Sequence, residues 1–254
     1  MKTRVLRLAC FYAGLVILWQ ALYTLKVWPP YVFPSPANVL QALRQGFADH
    51  SFWIGLTVSM KRVLLGYLIS VALGTALGLA MASSRALEET VGGLLMGLQS
   101  LPSICWLPLA VLWFGLNEKA ILFVIVMGSV LAVSLDTTVG MRHVPTIYRM
   151  AGRSLGARGW RMFLYVLVPA SLPHLVSGLK HGWAFAWRSL ISGEMIFVSL
   201  GLGQLLMMGR DLNDMSQVMA VMILITAIGY SVDRGVFEPV ERRMQAKWGL
   251  SGAA

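Results

Sequence analysis

Apolar residues in this chain neither alternate nor follow one helical stripe. They run together in blocks of about 20, the length at which a helix crosses the hydrocarbon core of a bilayer. Six blocks stand out: Val5–Leu25, Leu56–Met81, Val91–Leu116, Ala120–Met141, Leu172–Leu200 and Val218–Val236. After the first block, Trp28-Pro29-Pro30 and the prolines of Phe33-Pro34-Ser35-Pro36 forbid helix, and Ser35 before Pro36 can start a new one. Residues Ala37–Trp53, with Arg44 and Asp49, read as a partly polar surface helix. The pattern predicts an all-α integral membrane fold of about six transmembrane helices.

Composition sharpens this reading. The 254 residues are 57% hydrophobic and 13% charged, where a soluble domain carries about 25% charged residues. The net charge of +10 does not point to nucleic acid, because the basic residues form no single patch or arm. They sit between the apolar blocks. With the N-terminus inside, the cytoplasmic segments hold 13 Lys and Arg and the opposite side 4, while Lys61, Arg62, Lys180 and Arg188 fall in or at the ends of spans. The positive-inside rule then places both termini in the cytoplasm. Lys2, Arg4 and Arg7 ahead of an apolar run imitate a signal peptide, but no small-residue cleavage site follows, so the run reads as a retained first span. Cys10 and Cys105 lie inside apolar blocks and read as reduced packing residues.

Catalytic signatures are missing. The sequence has no G-x-x-x-x-G-K-[ST] loop, no H-E-x-x-H and no G-x-S-x-G. Gly201-Leu202-Gly203 lacks the third glycine of a dinucleotide site, and His50, His143, His174 and His181 lack metal-ligand spacing, although His174 and His181, seven apart, can share a helix face. No catalytic residue, metal or cofactor is therefore assigned. The informative features are structural. Pro102 and Pro108 interrupt the third block, and each frees a backbone carbonyl that lipid cannot satisfy. This fits either a bendable helix beside a pathway or a static buried kink. Arg188 and Glu194 are ionisable groups inside the fifth block, candidates for pathway or interface contacts, or for an ion pair with another helix. Their six-residue separation points them apart. Gly74-x-x-x-Gly78, Gly93-x-x-x-Gly97 and Gly178-x-x-x-Gly182 permit close helix approach. The loop Arg142–Pro169 interleaves Arg149, Arg153, Arg158 and Arg161 with Leu155, Trp160, Phe163 and Tyr165, as short amphipathic surface helices do.

That loop carries a family resemblance. Met150-Ala151-Gly152-Arg153-Ser154-Leu155-Gly156, followed by Val168-Pro169, resembles the E-A-A-x-x-x-G … L-P loop of binding-protein-dependent ABC importer permeases. Phe33-Pro34-Ser35-Pro36, Ser59-Met60-Lys61-Arg62-Val63, Leu107-Pro108-Leu109 with Trp113-Phe114-Gly115, Gly201-Leu202-Gly203 and Glu241-Arg242-Arg243 before Trp248 follow in the order of the nitrate/sulfonate/taurine-type branch. The resemblance runs from Phe33 to Trp248. Two positions depart from the motif: Met150 stands at the family glutamate and Gly152 at the second alanine.

The resemblance implies a type I ABC importer permease in the bacterial inner membrane. Its partners would be a second copy of the chain, two cytoplasmic ATPase subunits and an extracytoplasmic binding protein that selects the solute. The branch handles small organic or inorganic anions such as sulfonates, taurine and nitrate, and some heterocyclic precursors. The ATPase-coupling segment would comprise Arg149, Met150, Ala151, Gly152, Arg153, Leu155, Gly156 and Pro169; the pathway candidates remain those read from the spans themselves, Pro102, Pro108, Arg188 and Glu194. The expected organisation is a transmembrane helix in 1–30, an extracytoplasmic linker and surface helix in 31–55, a permease core in 56–240 with its coupling loop in 142–169, and a cytoplasmic tail in 241–254. The alternative is a stand-alone secondary transporter or channel, a class that more often shows repeats or several ionisable residues within its spans. An intramembrane enzyme is opposed by the missing catalytic groups. The topology is open to direct test. In a background lacking Cys10 and Cys105, a cysteine at Arg153 should escape an impermeant thiol reagent in intact cells, and labelling there would reverse the orientation.

Overall fold

The computed structural model describes residues 2–196 and 199–248. Phe197 and Val198, within the expected fifth span, and residues 249–254 of the expected tail lie outside the described residues. The described chain is helical: α1 (Lys2–Thr24), α2 (Pro36–Ala48), α3 (Ser51–Ser83), α4 (Arg85–Gln99), α5 (Ser103–Phe114), α6 (Glu118–Arg142), α7 (Thr146–Ser154), α8 (Gly159–Glu194), α9 (Leu202–Asp211) and α10 (Met215–Met244). Five of these, α1, α3, α6, α8 and α10, are long and apolar enough to cross a membrane, and α4 with α5 forms a sixth apolar stretch bent by 101°.

The chain divides into two compact units, Met1–Ser59 with Val198–Ala227, and Met60–Phe197 with Ile228–Ala254. In the first, Val39, Phe52, Ala220 and Val221 are buried, with Trp19, Leu43, Phe47 and Leu205 packed against them. The Ser35 hydroxyl accepts from the Asn38 amide at 3.2 Å and caps α2, with Pro36 in the first turn. The Trp19 indole donates to the Pro34 carbonyl at 2.9 Å, tying α1 to the proline segment. The expected surface helix to Trp53 ends earlier. Asp49 closes α2, His50 takes a left-handed conformation (φ 66°), and α3 begins at Ser51, so Phe52 turns into the core. Asp49 accepts from the Ser51 amide at 2.9 Å, and the Ser51 hydroxyl and amide hold its carboxyl below the ordinary range.

In the second unit α6 is the central element. Glycines on α3 meet it in register: a Cβ on Gly66 would lie 2.6 Å from Ile125, on Gly74 2.8 Å from Val133 and on Gly78 2.5 Å from Thr137. Each pair is offset by the same number of residues, so α3 and α6 run parallel. On its other side α6 meets α8 antiparallel. A Cβ on Gly182 would lie 2.4 Å from Val133, on Gly178 2.8 Å from Asp136, and one on Gly140 2.8 Å from His174. Hydroxyls seal both seams: Thr138 donates to the Gly78 carbonyl at 3.1 Å and Ser129 to that of Gly182 at 2.9 Å, while Tyr67 of α3 donates directly to the Leu179 carbonyl of α8 at 2.7 Å. Helices in lipid associate through such close packing, because the surrounding tails are as apolar as the helices. Two of the three Gly-x-x-x-Gly pairs are thus packing seams. Gly93 and Gly97 face open space.

Parallel α3 and α6 decide what the bent pair does. Arg62, early in α3, bonds Glu118 at the start of α6 at 3.0 Å, and Arg142 at the end of α6 pairs with Glu88 in α4. The chain must therefore return from one end of the bundle to the other between Ser83 and Glu118. Only α4 and α5 lie there, so the pair crosses the bundle rather than entering and leaving on one side. The bend sits at Pro102, followed by the 3₁₀ turn Ser103–Trp106. Pro108 is no second break: it occupies the first turn of the helix Leu107–Phe114, where a missing N–H costs nothing.

The expected loop Arg142–Pro169 is mostly helical, and α8 begins at Gly159 and ends at Glu194, short of the expected Leu200. It passes Pro169 through the π turn Phe163–Leu167, which shifts the carbonyl that a proline ring would strike. The π turn Asp233–Phe237 does the same ahead of Pro239 in α10. The seams give a stability prediction. Gly182→Val should lower the melting temperature of the purified protein through overpacking of about 1–3 kcal/mol. Gly97→Ala, in open space, should leave it unchanged or raise it.

Candidate functional site

The segment expected to couple to an ATPase is a small exposed helix closed by glycine. In α7 the Gly156 amide donates to the Arg153 carbonyl at 3.0 Å and the Ala157 amide to the Gly152 carbonyl at 2.9 Å. These two bonds form a Schellman cap, with Gly156 at φ 81° supplying the left-handed residue. Nothing lies within 4 Å of a Cβ built on Gly156. Its role within the chain is therefore conformational.

Only Gly152 of α7 is buried. A Cβ there would lie 3.0 Å from Met162 and Val166, so the residue replacing alanine lets α7 lie on the start of α8. Tyr148 meets Trp248 edge-on at 5.8 Å, joining the last described residue to this helix. Met150 is 59% exposed and Leu155 88%. Ala151 and Arg153 are exposed and Arg149 is half-buried. Pro169 stands apart from these groups, inside α8.

The other candidates separate into two groups. Glu194 is fully buried and accepts from Arg62 at 3.0 Å, while the second Arg62 nitrogen reaches Glu118 at 3.0 Å. Arg62 therefore ties α8, α3 and α6 together, and Glu194 is a structural partner to another helix. Sequence reasoning placed Arg62 only at a span end. The signal available was its place in Ser59-Met60-Lys61-Arg62-Val63. Arg188 instead is exposed: its Nε donates to the Ala184 carbonyl at 3.1 Å and its guanidinium lies 4.9 Å from the Phe185 ring centre. Arg188 and Glu194 do not pair, as their spacing implied.

His181 and His174 do share a face of α8, yet each has a different neighbour. His181 lies 3.0 Å from Asp136, and the His174 ring is tilted 48° against that of His143 with centroids 6.3 Å apart. Among the described residues no group of three His, Cys, Asp or Glu is placed to hold a metal ion. Cys10 and Cys105, expected to be packing residues, are free thiols exposed on the chain's surface, because α1 offers almost all its faces outward and Cys105 sits in the bend.

Comparison with known proteins accords with this geometry. The profile described as "Binding-protein-dependent transport system inner membrane component" matches residues 70–245. A putative ABC transporter permease of Methanocaldococcus jannaschii is 34% identical over 226 residues, 87% of this chain and 84% of that one. The taurine transport permease of Escherichia coli is 27% identical (91% and 86%), and its putative aliphatic sulfonates permease is 29% identical (97% and 94%). The structure of the MetNI methionine ABC transporter in an inward-facing conformation superposes with a TM-score of 0.67 at 17% identity, over 76% of this chain and 96% of that one. The chain belongs to the family of binding-protein-dependent transport inner membrane components. It is a multi-pass ABC importer permease with the type I permease fold.

The buried pair makes a definite prediction. Arg62→Met or Glu194→Leu alone strands a charge among helices and should destabilise the protein by about 3–5 kcal/mol. The double variant should melt closer to wild type than either single one. Additive losses on thermal melting would show that the two groups do not depend on each other.

Proposed function

We propose that this permease carries a small anion inward and is driven by two cytoplasmic ATPase subunits that dock on α7, with a second copy of the chain completing the pathway and an extracytoplasmic binding protein delivering the solute. The observation that carries this reading is α7 itself: a nine-residue helix between two long apolar helices, with one buried residue, a glycine cap and an otherwise open surface. A short rigid helix of this kind can pass a rigid-body motion between a docked subunit and the bundle. Hydrolysis would belong to the docked subunits, since the chain has no phosphate-cradling loop. The anion reading draws support from the taurine and sulfonate permeases to which the chain is similar. Charge placement supports an inward-facing position for α7 and for both termini.

The chemistry of the docking surface is also specific. From Thr146 to Met162 the chain carries Arg149, Arg153, Arg158 and Arg161 and no carboxylate, around exposed Ile147, Met150, Leu155 and Trp160. A complementary ATPase groove would be apolar at its floor and acidic at its rim. Met150, in place of the family glutamate, makes this surface wholly basic.

Gly156 provides the test. A leucine there must adopt a backbone angle that costs about 1–2 kcal/mol or release the cap, and either outcome misplaces α7 while the spans still insert. Gly156→Leu should reach the membrane at near-normal abundance, lose uptake and retain its ATPase weakly on co-purification. Met150→Glu should be far milder. Near-normal uptake by Gly156→Leu at normal abundance would overturn α7 as the coupling element.

A further inference from the structure

We propose that the exposed face of α8 bearing His174, His181 and Arg188 is a wall of the solute route, and that Arg188 is its anion-binding contact. The proposal rests on reading the chain as a permease and adds the residues that meet the solute. The three side chains are spaced by seven. At 3.6 residues per turn this keeps them within about 20° of one line, spread over roughly 21 Å of the helix. All three are exposed, whereas Trp183, Ala186, Trp187 and Leu190 between and beside them are buried. The face continues upward through Ser192, whose hydroxyl donates to the Arg188 carbonyl at 3.0 Å. From the neighbouring helix it receives Asp136, bonded to His181 at 3.0 Å with 68% of the His181 side chain exposed.

A face of this composition does not belong against lipid. Ionisable groups within spans turn to the bundle interior or to water. Glu194 satisfies that rule by burial against Arg62. Arg188 does not: no carboxylate among the described residues pairs with it, and its contacts are the Ala184 carbonyl and the Phe185 ring. Asp136 is already engaged by His181, so Arg188 is the uncompensated cation of the face. A sulfonate or another oxyanion suits a planar guanidinium with nitrogens to spare.

A second observation places the broken span at the same level. A Cβ on Gly128 would lie 1.9 Å from the Ser189 hydroxyl and 3.4 Å from Ser103. The bend at Pro102 therefore abuts the residue after Arg188. The Ser189 hydroxyl is buried there without a hydrogen-bond partner.

The test uses the assembled transporter in membranes, with Cys10 and Cys105 replaced and single cysteines introduced. The probes are an anionic sulfonatoethyl thiol reagent and a cationic trimethylammonium one. Cysteines at His181, Arg188 and Ser192 should label, while Trp187→Cys, buried, and Leu68→Cys, on an apolar exposed face of α3, should not. At Ser192→Cys the ratio of anionic to cationic labelling should fall roughly tenfold or more when Arg188→Gln is added, the scale of one poorly screened charge a few ångströms away. Arg188→Lys should preserve the ratio. Silence at His181 and Arg188, while Arg85→Cys, at an exposed position outside α7, labels in opened membranes, would overturn the proposal and assign the face to lipid or to the second copy. An unchanged ratio in Arg188→Gln, with the ATPase still co-purifying, would remove Arg188 as the anion contact. Failure of the wild-type chain to co-purify with any ATPase would instead strike at the permease reading and leave the labelling result standing.

Discussion

Close approach of helix backbones is the constraint on which the larger unit depends. In lipid no hydrophobic gain rewards bringing two apolar helices together, so contact must come from interlocking surfaces and hydrogen bonds. Gly66, Gly74 and Gly78 open one side of α6, and Gly178 and Gly182 the other. The hydroxyls of Ser129, Thr138 and Tyr67 then reach carbonyls that a larger interface residue would have kept away. The buried Arg62–Glu194 pair adds a directional tie among the same helices. It holds a particular arrangement, because either charge left alone would be far more costly than the pair.

Around that packed centre the irregular backbone is concentrated where it has a task. Proline is absorbed in three ways. At Pro102 it bends the crossing element, at Pro108 it begins a helix, and at Pro169 a π turn lets a long helix continue. The bend frees carbonyls between two apolar helices, as Pro173 does inside α8, and such backbone is tolerated where protein or water takes up the bonds. Its neighbour is Ser189 on α8, one residue from Arg188.

Helix α7 and the exposed face of α8 are held in opposite ways. The short helix α7 is held to the bundle at Gly152, at the edge-on contact of Tyr148 with Trp248, and through its cap, and otherwise stands free. The α8 face is part of the rigid pair with α6. A partner that moves α7 would thus push on an element continuous with α8, and α8 carries the exposed cation.

Much of this was legible in the amino-acid order. Span number, helix positions and the loop motif depend on local composition: twenty apolar residues form a membrane helix in nearly any context, and Gly156 caps α7 through bonds made within six residues. The loop motif that includes Met150 and Gly152 is likewise made of contiguous residues. Pairing across the bundle depends on relative rotation and register, which no local window contains. Only the tertiary structure could tell Gly93 and Gly97, which face open space, from the chemically identical pair Gly178 and Gly182, which form a seam. Only register showed α3 parallel to α6 and hence that the bent pair crosses. Likewise Arg188 and Glu194 looked alike as intramembrane charges until the fold buried one against Arg62, 132 positions away in sequence, and turned the other outward.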